Sequence, residues 1–130
     1  MSSIDRISEE PDFEARIRFL SSEEGGRKSQ PFQGYVCDFK YESHYEGDPP
    51  NQAWMIYPAF LDEQGALLPE LAEIPTSVSA IFRVLDPHYR ETVHRKRMHV
   101  GTRFWLVEGS RRVAEGVITK FVGMADEHPD

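Results

Sequence analysis

From Phe13 the chain alternates without a break, with Phe13, Ala15, Ile17 and Phe19 on one side of an extended backbone and Glu14, Arg16 and Arg18 on the other. That two-residue period is the signature of a half-buried strand, since a helix would scatter these residues around its axis. It recurs along the sequence. Tyr35, Cys37, Phe39 and Tyr41 oppose Val36, Asp38 and Lys40, and Val78, Ala80, Phe82 and Val84 oppose Ser79, Ile81, Arg83 and Leu85 until Asp86-Pro87-His88 stops the run. Runs 103–108 and 111–122 flank Gly109-Ser110, a two-residue connection of the Gly-X type that suits a tight hairpin. The second run carries apolar residues on both sides, as a strand wrapped by neighbours does, and Gly116 in its middle marks an expected bend or bulge. A further strand is expected within AWMIYPAFL. About six strands, few helical periods and no internal repeat predict an all-β fold, a six-stranded antiparallel closed or nearly closed barrel, with a sandwich as the alternative.

The flanks read differently. Residues 1–12 are polar and acidic and end near Pro11, residues 124–130 are short and acidic, and both are expected to be flexible tails around a domain spanning 13–123. The 130 residues suit one such domain, and 39% hydrophobic with 28% charged residues is a globular composition. No apolar run reaches the roughly 20 residues that span a bilayer, and MSSIDRISEE lacks the basic flank and apolar stretch of a signal peptide, so a soluble, cytoplasmic chain without a membrane partner is expected. Cys37, the single cysteine, has no second thiol for a disulfide or a zinc knuckle.

The net charge of -7 is unevenly spread. Residues 38–86 hold nine acids against Lys40 and Arg83, whereas residues 87–112 hold seven arginines and lysines against Glu91 and Glu108. An electrostatic partner would prefer one end of such a molecule.

Three segments, in order, resemble the C-terminal (third) β-barrel domain of bacterial elongation factor Tu. FEARIRFLSSEEGGRKSQPFQGYVCDFKY is similar at Phe13, Leu20, Ser21, Glu24, Gly25, Gly26, Arg27, Phe32, Gly34, Tyr35 and Phe39. VHRKRMHVGTRF is similar at His94, Met98, Gly101, Arg103 and Phe104, and VEGSRRVAEGVITKFVG at Glu108, Gly109, Arg111, Val113, Gly116, Val117, Lys120 and Gly123. The resemblance spans about 13–41 and 92–123 and lapses between them, where the chain is rich in proline and acid. It implies a translation-related barrel that, in the whole factor, packs on a nucleotide domain, helps hold the T-stem of aminoacyl-tRNA and touches the exchange factor. No GxxxxGK[ST] loop is present to cradle phosphates, so neither nucleotide binding nor GTP hydrolysis is expected. The family's GYRPQF has become Gly34, Tyr35, Val36, Cys37, Asp38 and Phe39, which puts an aspartate where phosphate would be met.

The candidate binding residues are Arg27 and Lys28 beside the glycine turn, the cluster His94, Arg95, Lys96 and Arg97, and Arg103, Arg111 and Arg112 if folding brings them near it. The five histidines show no metal-ligand spacing, adjacent acids such as Glu23 and Glu24 point to opposite sides of a strand, and Cys37 shares its face with aromatic residues as a small core residue would. No catalytic residue, metal or cofactor is expected. The sequence therefore predicts a non-enzymatic module for an unknown protein partner, with tRNA or another structured RNA as the alternative.

Overall fold

A computed structural model describes residues 3–124. Six strands, β1 (Phe13–Phe19), β2 (Asp38–Tyr41), β3 (Ile56–Leu61), β4 (Ser77–Val84), β5 (Arg103–Glu108) and β6 (Arg111–Phe121), form one antiparallel sheet in the order β2-β5-β6-β1-β4-β3. The sheet is an open, strongly curled half-barrel, which corrects the expectation of closure. Its edge strands meet only where Phe39 exchanges two backbone hydrogen bonds, of 2.9 and 2.7 Å, with Trp54 just before β3. Elsewhere the seam is filled by side chain: the buried Gln33 amide donates to the Phe60 carbonyl at 2.9 Å and accepts from the Phe60 N–H at 3.0 Å, imitating the missing strand. Pro58, which has no N–H to offer a ladder, stands in β3 at this edge.

The concave side holds the core. Phe13, Phe39, Phe60, Phe82 and Phe104, one from each of β1 to β5, are fully buried. Phe13 stacks on Phe82 at 5.0 Å and Phe39 on Phe104 at 4.5 Å, with Phe82 and Phe104 edge to face at 5.6 Å, geometries that aromatic quadrupoles favour. Phe13, Phe39 and Phe82 are on the sides that alternation groups as apolar.

The hairpin turn forms at Gly109, whose φ of 58° is the left-handed conformation required at the first position of a Gly-X turn, and Glu108 pairs with Arg111. The long arm β6 is bulged twice, but not at its glycine. One shift leaves Val113 without a partner between the pairs Leu106↔Ala114 and Val107↔Arg112, and another leaves Thr119 between Glu14↔Lys120 and Ala15↔Ile118. The first bulge turns both Val113 and Ala114 inward, which explains the apolar residues on both sides of the run. Gly116 serves packing instead: a Cβ there would lie 2.6 Å from Phe104 Cε2 and 2.8 Å from Ile17 Cδ1.

Two expectations about the termini change. Ser3–Glu9, read as tail, forms helix α1, which buries Ile4 and Ile7 against Ala59, Tyr57 and Ile81 on the convex side of β3 and β4. Asp12, also read as tail, is buried, and its carboxylate accepts from the Val84 N–H at 2.8 Å and from Arg90 Nε at 2.7 Å. Of 124–130, only Met124 is among the described residues, and it is buried; the rest of the expected tail lies outside them.

Candidate functional site

Residues 87–97 are helical: α2 (Pro87–Tyr89) is capped by the Asp86 side chain and runs through a π-helical turn (Arg90–His94) into α3 (Arg95–Arg97). Successive residues of a helix point about 100° apart. The basic cluster is therefore split. Arg97 turns inward, donates two hydrogen bonds of 2.7 and 2.9 Å to Asp48 and lies 4.1 Å over the Tyr45 ring. Arg95 pairs with Glu91 at 2.9 Å, and Lys96 faces outward. His94 is buried, 2.7 Å from the Tyr41 hydroxyl through Nδ1 and edge-on to Trp54 at 4.6 Å. Burial, ahead of the neighbouring Arg97 charge, lowers its pKa to about 4. This group is a clasp that fixes the 42–54 segment to the sheet.

Arg27 is likewise committed. It pairs with Glu108, which also accepts from the Tyr35 hydroxyl, and its guanidinium covers the Tyr35 ring at 4.6 Å. Burial raises the pKa of Tyr35, with the Glu108 hydrogen bond adding to it. The preceding Glu24 is held well below the usual carboxylate range by Arg18, and Lys28 remains exposed beside this turn. Of the altered positions after Gly34, Val36 is exposed and Asp38 opens β2 half-buried. Cys37 lies buried, and burial pushes its thiol pKa up.

Arg103 and Arg112 share the convex side of the sheet. Helix α1 covers that side over β3 and β4 and leaves it uncovered over β2, β5, β6 and β1. Lys40 of β2 stands opposite Trp105 of β5, Trp105 opposite Glu115 of β6, and Glu115 opposite Arg18 of β1. The next row runs Arg103, Val117 and Arg16. Arg18 bonds Glu115 at 2.7 Å and Glu24 at 3.0 Å, and Arg103 bonds Glu42 at 3.3 Å. Arg112 differs: its guanidinium lies 4.4 Å over the Trp105 ring, and among the described residues it makes no ion pair. Lys40 donates to the neutral Asn51 amide at 2.9 Å. Arg111 next to Arg112 is exposed and lies across the hairpin from Glu108, on whose carboxylate its charge acts together with the Arg27 charge and the Tyr35 hydroxyl. A concavity of about 310 Å³ opens beside Lys40, Trp105 and Arg112 under the 42–54 segment.

Of nine candidates from sequence, the structure thus brings Arg103 and Arg112 to one uncovered face, leaves Arg111 exposed at the hairpin opposite Glu108, and ties His94, Arg95, Arg97 and Arg27 into internal pairs. Lys40, Asn51 and Trp105 were missed as site residues, because only the β2–β5 register sets Lys40 against Trp105. Among the described residues, no three of His, Cys, Asp and Glu come together, and no helix is long and apolar enough to cross a membrane. No family model matches the sequence, and no curated protein matches it.

Proposed function

We propose that the chain is a non-enzymatic protein-binding module on a half-barrel that resembles the elongation factor Tu C-terminal domain, meeting its partner through the uncovered convex face of β2, β5, β6 and β1. One observation carries the reading: Trp105 with Arg112 laid on its ring and Lys40 beside it, a partly exposed aromatic flanked by cations that no internal carboxylate neutralises among the described residues. Aromatic and arginine side chains are the residue types that anchor protein interfaces.

Two further features support it. The segments that resemble the elongation-factor domain supply β1, β2, β5 and β6, which are contiguous in the sheet, whereas the unmatched middle supplies β3, β4 and the 42–54 segment. His94, Tyr41 and Cys37, whose proton affinities burial disturbs, are shut inside the core, where they serve packing. A tRNA or other structured RNA is the alternative that the same cations would admit.

The test is photo-crosslinking in cell extract from a reactive residue placed at Val117, between Arg103 and Arg16 on the face. Recovery of a specific protein, lost when Trp105 is changed to Ala, is expected. Recovery of RNA alone overturns the reading.

A further inference from the structure

We propose that the partner segment is an extended acidic peptide whose carboxylates are taken by Arg112 and Lys40 on either side of Trp105; this rests on the protein-binding reading above. Stacking on the indole presents the N–H edges of a guanidinium as a fork, the geometry that a carboxylate fills with two parallel hydrogen bonds. Arg112 is so placed, and its neighbour Lys40 adds charge without an acid of its own among the ion pairs of the described residues. The site is thus complementary in charge to a carboxylate pair while the molecule around it is acidic.

Spacing defines the ligand further. Lys40 and Arg112 lie on β2 and β6 with β5 between, Lys40 level with Trp105 and Arg112 level with Val107, so with strands about 4.8 Å apart and a rise of about 3.4 Å per residue their backbones stand about 12 Å apart. Same-side residues of an extended peptide recur about every 7 Å, a distance that the two long stems accommodate, so acids at i and i+2 fit. The wall of the neighbouring concavity formed by Tyr45, Pro49 and Pro50 offers apolar surface to the intervening residues.

The same surroundings disfavour a nucleic acid. Glu115, Glu42 and Glu24 border the patch, and the chain carries a net charge of -7. A phosphate backbone with a charge at every step would run over those carboxylates, whereas a short segment needs only to place two acids. Screening at physiological salt, over about 8 Å, lets the local cations outweigh the distant acids.

The experiment titrates the isotope-labelled full chain with a blocked alternating Glu-Ala peptide, its Gln-Ala counterpart and oligouridylate RNA. The expected result is saturable shifts at the Trp105 indole N–H, the Arg112 Nε–H and the Lys40 amide with the Glu peptide only. Arg112→Gln should weaken binding at least about tenfold and Arg112→Lys less, because lysine keeps the charge and loses the fork. Unchanged core amide shifts would establish that these variants fold. Equal response to the Glu and Gln peptides, no saturable shift at the three groups, or tighter binding of RNA there would overturn the proposal. If the Glu peptide fails while Val117 crosslinks still recover a protein, the acidic chemistry falls and the protein-binding reading stands; RNA crosslinks alone remove both.

Discussion

Lowering the pH from about 7.5 to about 5 should destabilise this protein through one side chain, His94. Its pKa falls from an ordinary 6.5 to about 4 on folding. Burial is the main cause; the Arg97 guanidinium adds to it, and Asp48 and Asp86 oppose it. The Tyr41 hydroxyl and the Trp54 edge complete the surroundings of the ring. With a folded pKa below the unfolded one, the unfolded chain binds more protons in the interval, so stability rises with pH. The contribution is complete above 6.5 and is lost progressively as pH falls toward 4. A shift of this size removes about 2 kcal/mol by pH 5 and about 3 kcal/mol by pH 4.

The upper part of that window is clean. Asp48, Glu24, Glu91 and Glu108 all have lowered pKa values, from Arg97 for Asp48, Arg18 for Glu24, Arg95 for Glu91, and Tyr35 and Arg27 for Glu108. Carboxylates of that kind lose their contribution only as pH falls below their unfolded values near 4. Urea denaturation at about pH 7.5, 6.5, 5.5 and 5 would measure the slope. The His94→Gln variant provides the reference, because glutamine keeps a partner for the Tyr41 hydroxyl and does not titrate. Wild type should lose about 2 kcal/mol more than the variant between the extremes. Parallel slopes in the two proteins would refute the argument, since every other titrating group is common to both.

Three other substitutions test the architecture. Gly116→Ala should cost about 2 to 3 kcal/mol in chemical denaturation, because the added methyl meets Phe104 and Ile17 in the core, and adding Phe104→Leu should recover part of the loss. Asp12→Ala should cost about 3 kcal/mol, since it strands the Val84 N–H and the Arg90 guanidinium that the buried carboxylate holds; a change within about 0.5 kcal/mol would show that Asp12 does not tie the strand and the helical turn together. Arg97→Ala should cost about 2 kcal/mol and accelerate amide exchange mainly across residues 42–54, since it breaks both the bidentate pair with Asp48 and the contact with the Tyr45 ring.

What the sequence disclosed about the fold depended on whether local pattern or distant contact decided each element. The alternation at 13–19 and 78–84 and the Gly109-Ser110 turn are local, and the strands and inward residues formed accordingly. Helix α1 was hidden because seven residues, with Ile4 and Ile7 one turn apart, are too few to be stable alone; the convex faces of Ala59 and Ile81 hold it in place. The strand expected from Tyr35 begins only at Asp38, after Gly34 turns the chain with a φ of 100° and the Tyr35 N–H bonds the Phe32 carbonyl. The basic run 94–97 reads as one cluster in sequence, but its helical turn points successive side chains about 100° apart and splits it. Conversely, the pairing of Lys40 with Trp105 joins residues 65 positions apart, and only the register exposes it.

The 42–54 segment links these threads. It is the part of the chain, rich in proline and acid, where the family resemblance lapses, and it is fastened to the sheet at three points: Asp48 by Arg97, Asn51 by Lys40, and Trp54 by its backbone bridge to Phe39. One of those fastenings, Arg97 on Asp48, joins the basic stretch 87–112 to the acidic stretch 38–86, so charge polarity along the chain has become an internal clamp. Clamping uses up Arg97 but leaves Arg112 without an acid among the described residues, and the rim of the segment then forms one wall beside Trp105. The segment sets the width of the convex face beside Trp105, so shortening the Pro49-Pro50 stretch should alter peptide affinity without altering the unfolding midpoint of the sheet as Gly116→Ala does.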